Sequence, residues 1–173
     1  MAEPVTMNRR PLLALSALSW LLPAAASALG LPQGSVVLSL SGRVRNPNQG
    51  AVAAFDMAML EALPQASHTV QVPWYNEPRK FTGPLLRDVL AAAGHHGSTT
   101  MRTLALNDYR VDIPVDDALR YDVLLARLLD DRPMPVRDKG PLMIVYPFDR
   151  HAHLRNALSF SRCDWQLKAI ELS

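Results

Sequence analysis

Residues able to do chemistry gather at the ends of apolar runs in this chain. Trp74-Tyr75 closes one run, Tyr109 opens another and Tyr146 ends a third, with Asn107-Asp108 and Arg137-Asp138-Lys139 in the polar stretches between. A flat heteroaromatic ligand is held by a stacking face and by amide or carboxylate groups along its edge. These residues offer both. Other patterns point to less. His95-His96 and His151-x-His153 lack further metal ligands at a recognisable spacing, and no His-Glu-x-x-His pattern is present. There is no Gly-x-Ser-x-Gly elbow and no cysteine-protease surrounding for Cys163. Gly94-His95-His96-Gly97 lacks the lysine of a phosphate-cradling loop. Asp116-Asp117 and Asp130-Asp131 read as caps and turns rather than as paired catalytic acids.

The elements that must position these residues are short. Residues 36–44 and 51–55 read as strands around the turn-rich Asn46-Pro47-Asn48-Gln49-Gly50. Asp56 is the expected N-cap of a helix over 57–63, its carboxylate accepting orphan backbone N–H groups, and Pro64 stops that helix. Residues 68–74 alternate as a strand does, and 75–80 form a polar loop. The strongest helix pattern covers 84–93: Thr82 or Gly83 as cap, Pro84 in the first turn, an apolar stripe of Leu86, Val89, Leu90 and Ala93, and Gly94 as the stop. Strands are expected over 101–106 and 109–113, then a turn or single helical turn over 114–119. Residues 121–129 read as a strand entering a hairpin at Asp130-Asp131-Arg132-Pro133, followed by strands over 142–146 and 164–172. Many short strands with two short helices make an α+β domain with a mainly β core.

Composition agrees with one globular domain. The 173 residues are 49% hydrophobic and 20% charged, and 18 basic against 16 acidic residues leave a net charge of +2. That balance lacks the concentrated basic footprint of a nucleic-acid-binding chain. A single cysteine excludes a disulfide framework within the chain and any zinc site built on paired cysteines. Asn8, Arg9 and Arg10, an apolar run over 11–22 and the small-x-small Ala26-Ser27-Ala28 form the three parts of a secretory leader. Its apolar run is shorter than the roughly 20 residues a spanning helix needs. The expectation is a cleavable signal peptide over 1–28, a single domain over 29–173, and a periplasmic location.

Several stretches in order resemble the molybdopterin-binding oxidoreductase domain, the sulfite-oxidase-type fold. They are Phe81-Thr82-Gly83-Pro84-Leu85-Leu86-Arg87-Asp88-Val89-Leu90, then Leu106-Asn107-Asp108-Tyr109, then residues 121–126, then Gly140-Pro141-Leu142-Met143-Ile144-Val145-Tyr146-Pro147, and finally Trp165-Gln166-Leu167-Lys168-Ala169-Ile170. In catalytic members of that superfamily a cysteine thiolate between the first helix and the Gly-x-x-Leu helix ligates molybdenum. Here residues 67–80 hold no cysteine, and Cys163 lies far along the chain. The basic segments that anchor the cofactor's phosphate are missing after Pro147. The chain therefore looks like the small, exported, cysteine-less branch, similar to periplasmic proteins that bind a free pterin and report it to a membrane-bound signalling partner, such as a cyclic di-GMP enzyme or a sensor kinase. It departs from that branch at Asp131-Arg132, where a turn glycine is expected.

That resemblance implies a non-catalytic binding module, with a molybdopterin-dependent oxidoreductase of atypical metal ligation as the alternative. The implied ligand is a free pterin, in its oxidised or a reduced form, ahead of molybdopterin. The implied site stacks the ring on Trp74, with Tyr75 beside it and Tyr109 or Tyr146 on the other side. Asn107 and Asp108 would meet the amino-pyrimidinone edge, and Arg137 or Lys139 would stand at the mouth.

Overall fold

A computed structural model describes residues 29–173; the expected leader over 1–28 lies outside the described residues. The chain opens with strand β1 (Val36–Gly42), whose alternate residues Leu38 and Leu40 are buried. Strand β2 (Ala53–Asp56) returns beside it and runs directly into helix α1 (Met57–Ala62). Asp56 caps this helix as its sequence position predicts: Oδ1 accepts from Met59 N–H at 2.8 Å. Its other oxygen accepts from Gln33 and Gly34 N–H, which ties the leading segment to the helix start. These bonds, the Met59 bond first, hold its carboxyl below the usual carboxylate range.

Strand β3 (Gln65–Val70) begins three residues earlier than its alternation suggests and ends before Trp74, which lies in a turn. Strand β4 (Arg79–Pro84) then occupies the segment read as loop and helix cap. Helix α2 (Leu86–Ala92) starts two residues later than expected and has no side-chain cap. Its first N–H donates to the carbonyl of Val123 at 2.8 Å. Pairing decides the matter: β4 is antiparallel to β3 along its whole length, so Thr82-Gly83-Pro84 is consumed by the sheet. Gly83 also marks a close crossing, since a Cβ there would lie 2.0 Å from the carbonyl oxygen of Leu125.

Strands β5 (Thr100–Ala105) and β6 (Arg110–Pro114) form the expected hairpin. Helix α3 (Val115–Arg120) follows, then β7 (Leu124–Ala126), β8 (Leu128–Leu129) and β9 (Arg132–Pro133). The β8–β9 turn has no glycine, and Asp130 and Asp131 take its two positive-φ positions, at 47° and 63°. Aspartate tolerates that region better than most residues. Strand β10 (Met143–Val145), helix α4 (Ala157–Ser161) and strand β11 (Leu167–Leu172) complete the chain.

Among the described residues the strands form three sheets, of order β2-β1-β11-β5-β6, β10-β7 and β3-β4-β8-β9. One core threads all three, from Leu38 and Leu40 through Phe81, Leu90 and Leu124 to Met143 and Ile170. This is the mainly β, α+β architecture expected, with four short helices where two were read. The last strand does not keep a clean alternation either. Its register against β5 shifts between Leu167 and Ala169, which buries Leu167, Ile170 and Leu172 together.

Candidate functional site

Three segments distant in sequence converge on one partly open cavity of about 230 Å³. The turn after β3 brings Trp74, and the β5–β6 hairpin brings Asn107 and Tyr109. The stretch from α4 into β11 brings Phe160, Ser161, Cys163, Asp164 and Trp165. The walls are aromatic. Trp74 meets Trp165 edge to face, with ring centroids 5.4 Å apart and planes at 67°. Such a pair adds about 0.5–1.5 kcal/mol beyond its area burial. Lys139 Nζ lies 4.2 Å from the centre of the Trp165 ring, a cation over a π face. Tyr109 is 45% exposed, and its hydroxyl donates to the carbonyl of Ser161 at 3.1 Å, latching the hairpin to α4.

The floor is polar and unsatisfied. Asp164 is 2% exposed. Its backbone is pinned, because its carbonyl accepts from Ile144 N–H in β10 at 2.9 Å. Its Oδ2, by contrast, has no hydrogen-bond partner, and neither does the buried indole N–H of Trp74. Burial pushes the Asp164 carboxyl up to about 6, against an ordinary 3.8, with Thr103 pulling the other way. Native proteins leave few buried polar groups unpaired, and each such group costs about 1–3 kcal/mol. Both atoms are sealed from solvent beside a mainly apolar cavity, so a guest meets them only once the Asp164 and Trp74 side chains turn toward it.

Cys163 shares this cavity although it stands about ninety residues from the loop after β3. Its thiol donates to the carbonyl of Ser159 at 3.5 Å, and burial pushes it up to about 12. It is a neutral, packed thiol, not a poised nucleophile.

The other residues singled out from sequence are dispersed. Tyr75 packs against Phe81 at 6.3 Å under the guanidinium of Arg79. It lines a neighbouring groove of about 430 Å³ together with Arg132, Arg137 and Lys139. Arg137 is exposed and pairs only with adjacent Asp138, at 3.5 Å. Asp108 sits at positive φ at the hairpin tip and accepts from Lys168 Nζ at 3.2 Å, so its carboxylate is spent outside the cavity. Asn107 lines the cavity, but its Oδ1 accepts from Tyr109 N–H at 3.1 Å, closing the turn. Tyr146 does not line the cavity. It is wholly buried, stacks on Phe148, and donates to Asp117 Oδ2 at 2.7 Å beside Arg162. Burial and that carboxylate raise its hydroxyl far above the ordinary phenol range. Phe160, Cys163, Asp164 and Trp165 were not read as site residues. The one signal available was an acid placed against a tryptophan at the mouth of an apolar strand.

The family model described as the oxidoreductase molybdopterin-binding domain matches residues 36–149. The chain belongs to that family. Among solved structures it is similar to the sulfane dehydrogenase SoxCD of Paracoccus pantotrophus, with a TM-score of 0.57 and 14% identity. That likeness covers 78% of this chain but 37% of the other, and it concerns the fold. Among curated proteins none matches significantly in sequence.

The family implies a pterin-type cofactor, and its molybdenum-bearing form can be tested against the residues present. The protein ligand to molybdenum that the resemblance implies is a deprotonated cysteine, a soft donor. The turn carrying Trp74 has no cysteine, and Cys163 is held as a thiol by its burial. The unpartnered carboxylate of Asp164 would repel an anionic dithiolene or phosphate. No thiolate is offered at this cavity by the described residues, so they do not fit the metal-bearing cofactor.

Proposed function

We propose that the protein is a non-catalytic periplasmic receptor for a free pterin, which it reports to a membrane-bound signalling partner such as a cyclic di-GMP enzyme or a sensor kinase. The observation that carries this reading is the cavity lined by Trp74, Tyr109, Phe160 and Trp165, aromatic on its walls, with the buried carboxyl of Asp164 beside them. Pterin rings are flat, with hydrogen-bonding groups on their edges, and this combination suits them. The leader pattern over residues 1–28 supports export, and the resemblance supports the signalling role.

Calorimetric titration of a reduced pterin into wild type and Trp74→Ala tests the binding. Loss of the stacking face and its buried area weakens binding by at least about tenfold, which is 1.4 kcal/mol. A folded Trp74→Ala that binds as tightly as wild type refutes the stacking role. Native mass spectrometry of the exported protein tests the rest by showing which small molecule it carries. The alternative, a molybdopterin-dependent oxidoreductase, has one observation on its side: Cys163 lines the cavity. Stoichiometric molybdenum in protein purified from the periplasm would establish it.

A further inference from the structure

We infer that Asp164 is the group that reads the ligand's edge, selecting rings with two adjacent N–H donors over rings with a carbonyl in their place. This rests on the pterin reading above and deepens it. Asp108, the carboxylate expected at that edge, is engaged by Lys168 at the hairpin tip. Asp164 is the acid among the residues lining the cavity, is 2% exposed, and keeps one oxygen without a partner.

The backbone around it is fixed on both sides. Ile144 N–H holds its carbonyl, and the next residue, Trp165, bridges to Met143 in β10. The carboxylate torsion is soft, so the carboxyl can turn toward a guest at the cost of its contact with Thr103, which two charge-assisted bonds to the guest would offset. A carboxylate meeting two parallel N–H groups forms a bidentate, charge-assisted contact. The 2-amino-4-oxopteridine ring has that arrangement, its N3–H beside the 2-amino group. The 2,4-dioxopteridine ring has the same shape with a carbonyl at C2, which would place oxygen against oxygen. A site built around one hydrogen-bond pattern rejects the analogue that lacks it, because its own buried group is left unpaired. The unmet indole N–H of Trp74 remains for an acceptor on the same guest.

The experiment is calorimetry at pH 7.5 with pterin and lumazine, the two rings just described, on wild type and Asp164→Asn. Wild type should prefer pterin by at least about tenfold. Asp164→Asn should lose most of that preference, since an amide presents one donor and one acceptor. A wild-type ratio near one, or a folded Asp164→Asn that keeps the wild-type ratio, overturns the inference while leaving the pterin reading intact. If the variant does not fold, the wild-type ratio decides alone. Wild type that binds neither ring overturns the pterin reading and this inference with it.

Discussion

Replacing Asp164 by Asn should make the ligand-free protein more stable at neutral pH. The folded state holds this carboxyl up to about 6, and an ordinary aspartate has 3.8. Between those values the folded chain binds more protons than the unfolded one. Stability therefore falls as pH rises through this window and stays low above it. At about 1.36 kcal/mol per pH unit, the cost at pH 7.5 is about 3 kcal/mol. Asn has nearly the same shape and no charge to desolvate, so the variant avoids that cost. Asp56, Asp112, Asp122 and Asp130 are shifted downward and act in the opposite sense at lower pH. The comparison must then be between variant and wild type, not between two pH values of one protein. Urea denaturation at pH 4.5 and 7.5 makes it. At pH 4.5 the two should differ by about 1 kcal/mol, because the unfolded carboxyl is already ionised there and only the first part of the window has been crossed. At pH 7.5 the variant's midpoint should lie about 1–2 M higher at ordinary urea slopes. Equal midpoints at pH 7.5, or a variant less stable there, would show that Asp164 is not an uncompensated buried charge.

Cys163→Ser should leave pterin affinity within about threefold, because a hydroxyl can also donate to the Ser159 carbonyl, 3.5 Å from the sulfur; calorimetry reads this. Tyr146→Phe removes a buried donor from Asp117, which keeps Arg162 at 2.8 Å. It should cost about 1–2 kcal/mol in urea denaturation without moving pterin affinity. Gly83→Ala forces a methyl against the backbone of Leu125 rather than a flexible side chain. A loss of at least about 3 kcal/mol, or failure to fold, is expected, with circular dichroism as the measure.

Local signals in the sequence were legible where the physics is local. The Asp56 cap and the Gly94 stop are settled by one carboxylate and one positive φ, and both stand where they were read. The start of α2 was misplaced because Thr82-Gly83-Pro84 looks like a cap until β3 pairs with it. Helix α4 escaped because it is a five-residue turn, although Asn156 accepts from Ser159 N–H as its cap. At the site, the aromatic signal at Trp74 and Tyr109 survives in the cavity lining. Of the acids, Asp164 and not Asp108 lines that cavity. Asp108 and Asp164 are equally visible as letters. Only the hairpin's left-handed tip and the packing of β11 send one to solvent and bury the other.

Strand β11 lies between β1, its parallel neighbour, and β5, its antiparallel one. Without residues 167–172 the β2–β1 and β5–β6 pairs would have no strand between them, and each would present an unpaired inner edge. The main sheet then closes in one late step, uniting segments from opposite ends of the domain. Such long-range pairing forms slowly. The same strand follows directly on Asp164 and Trp165, so the cavity they line is complete only when the sheet closes.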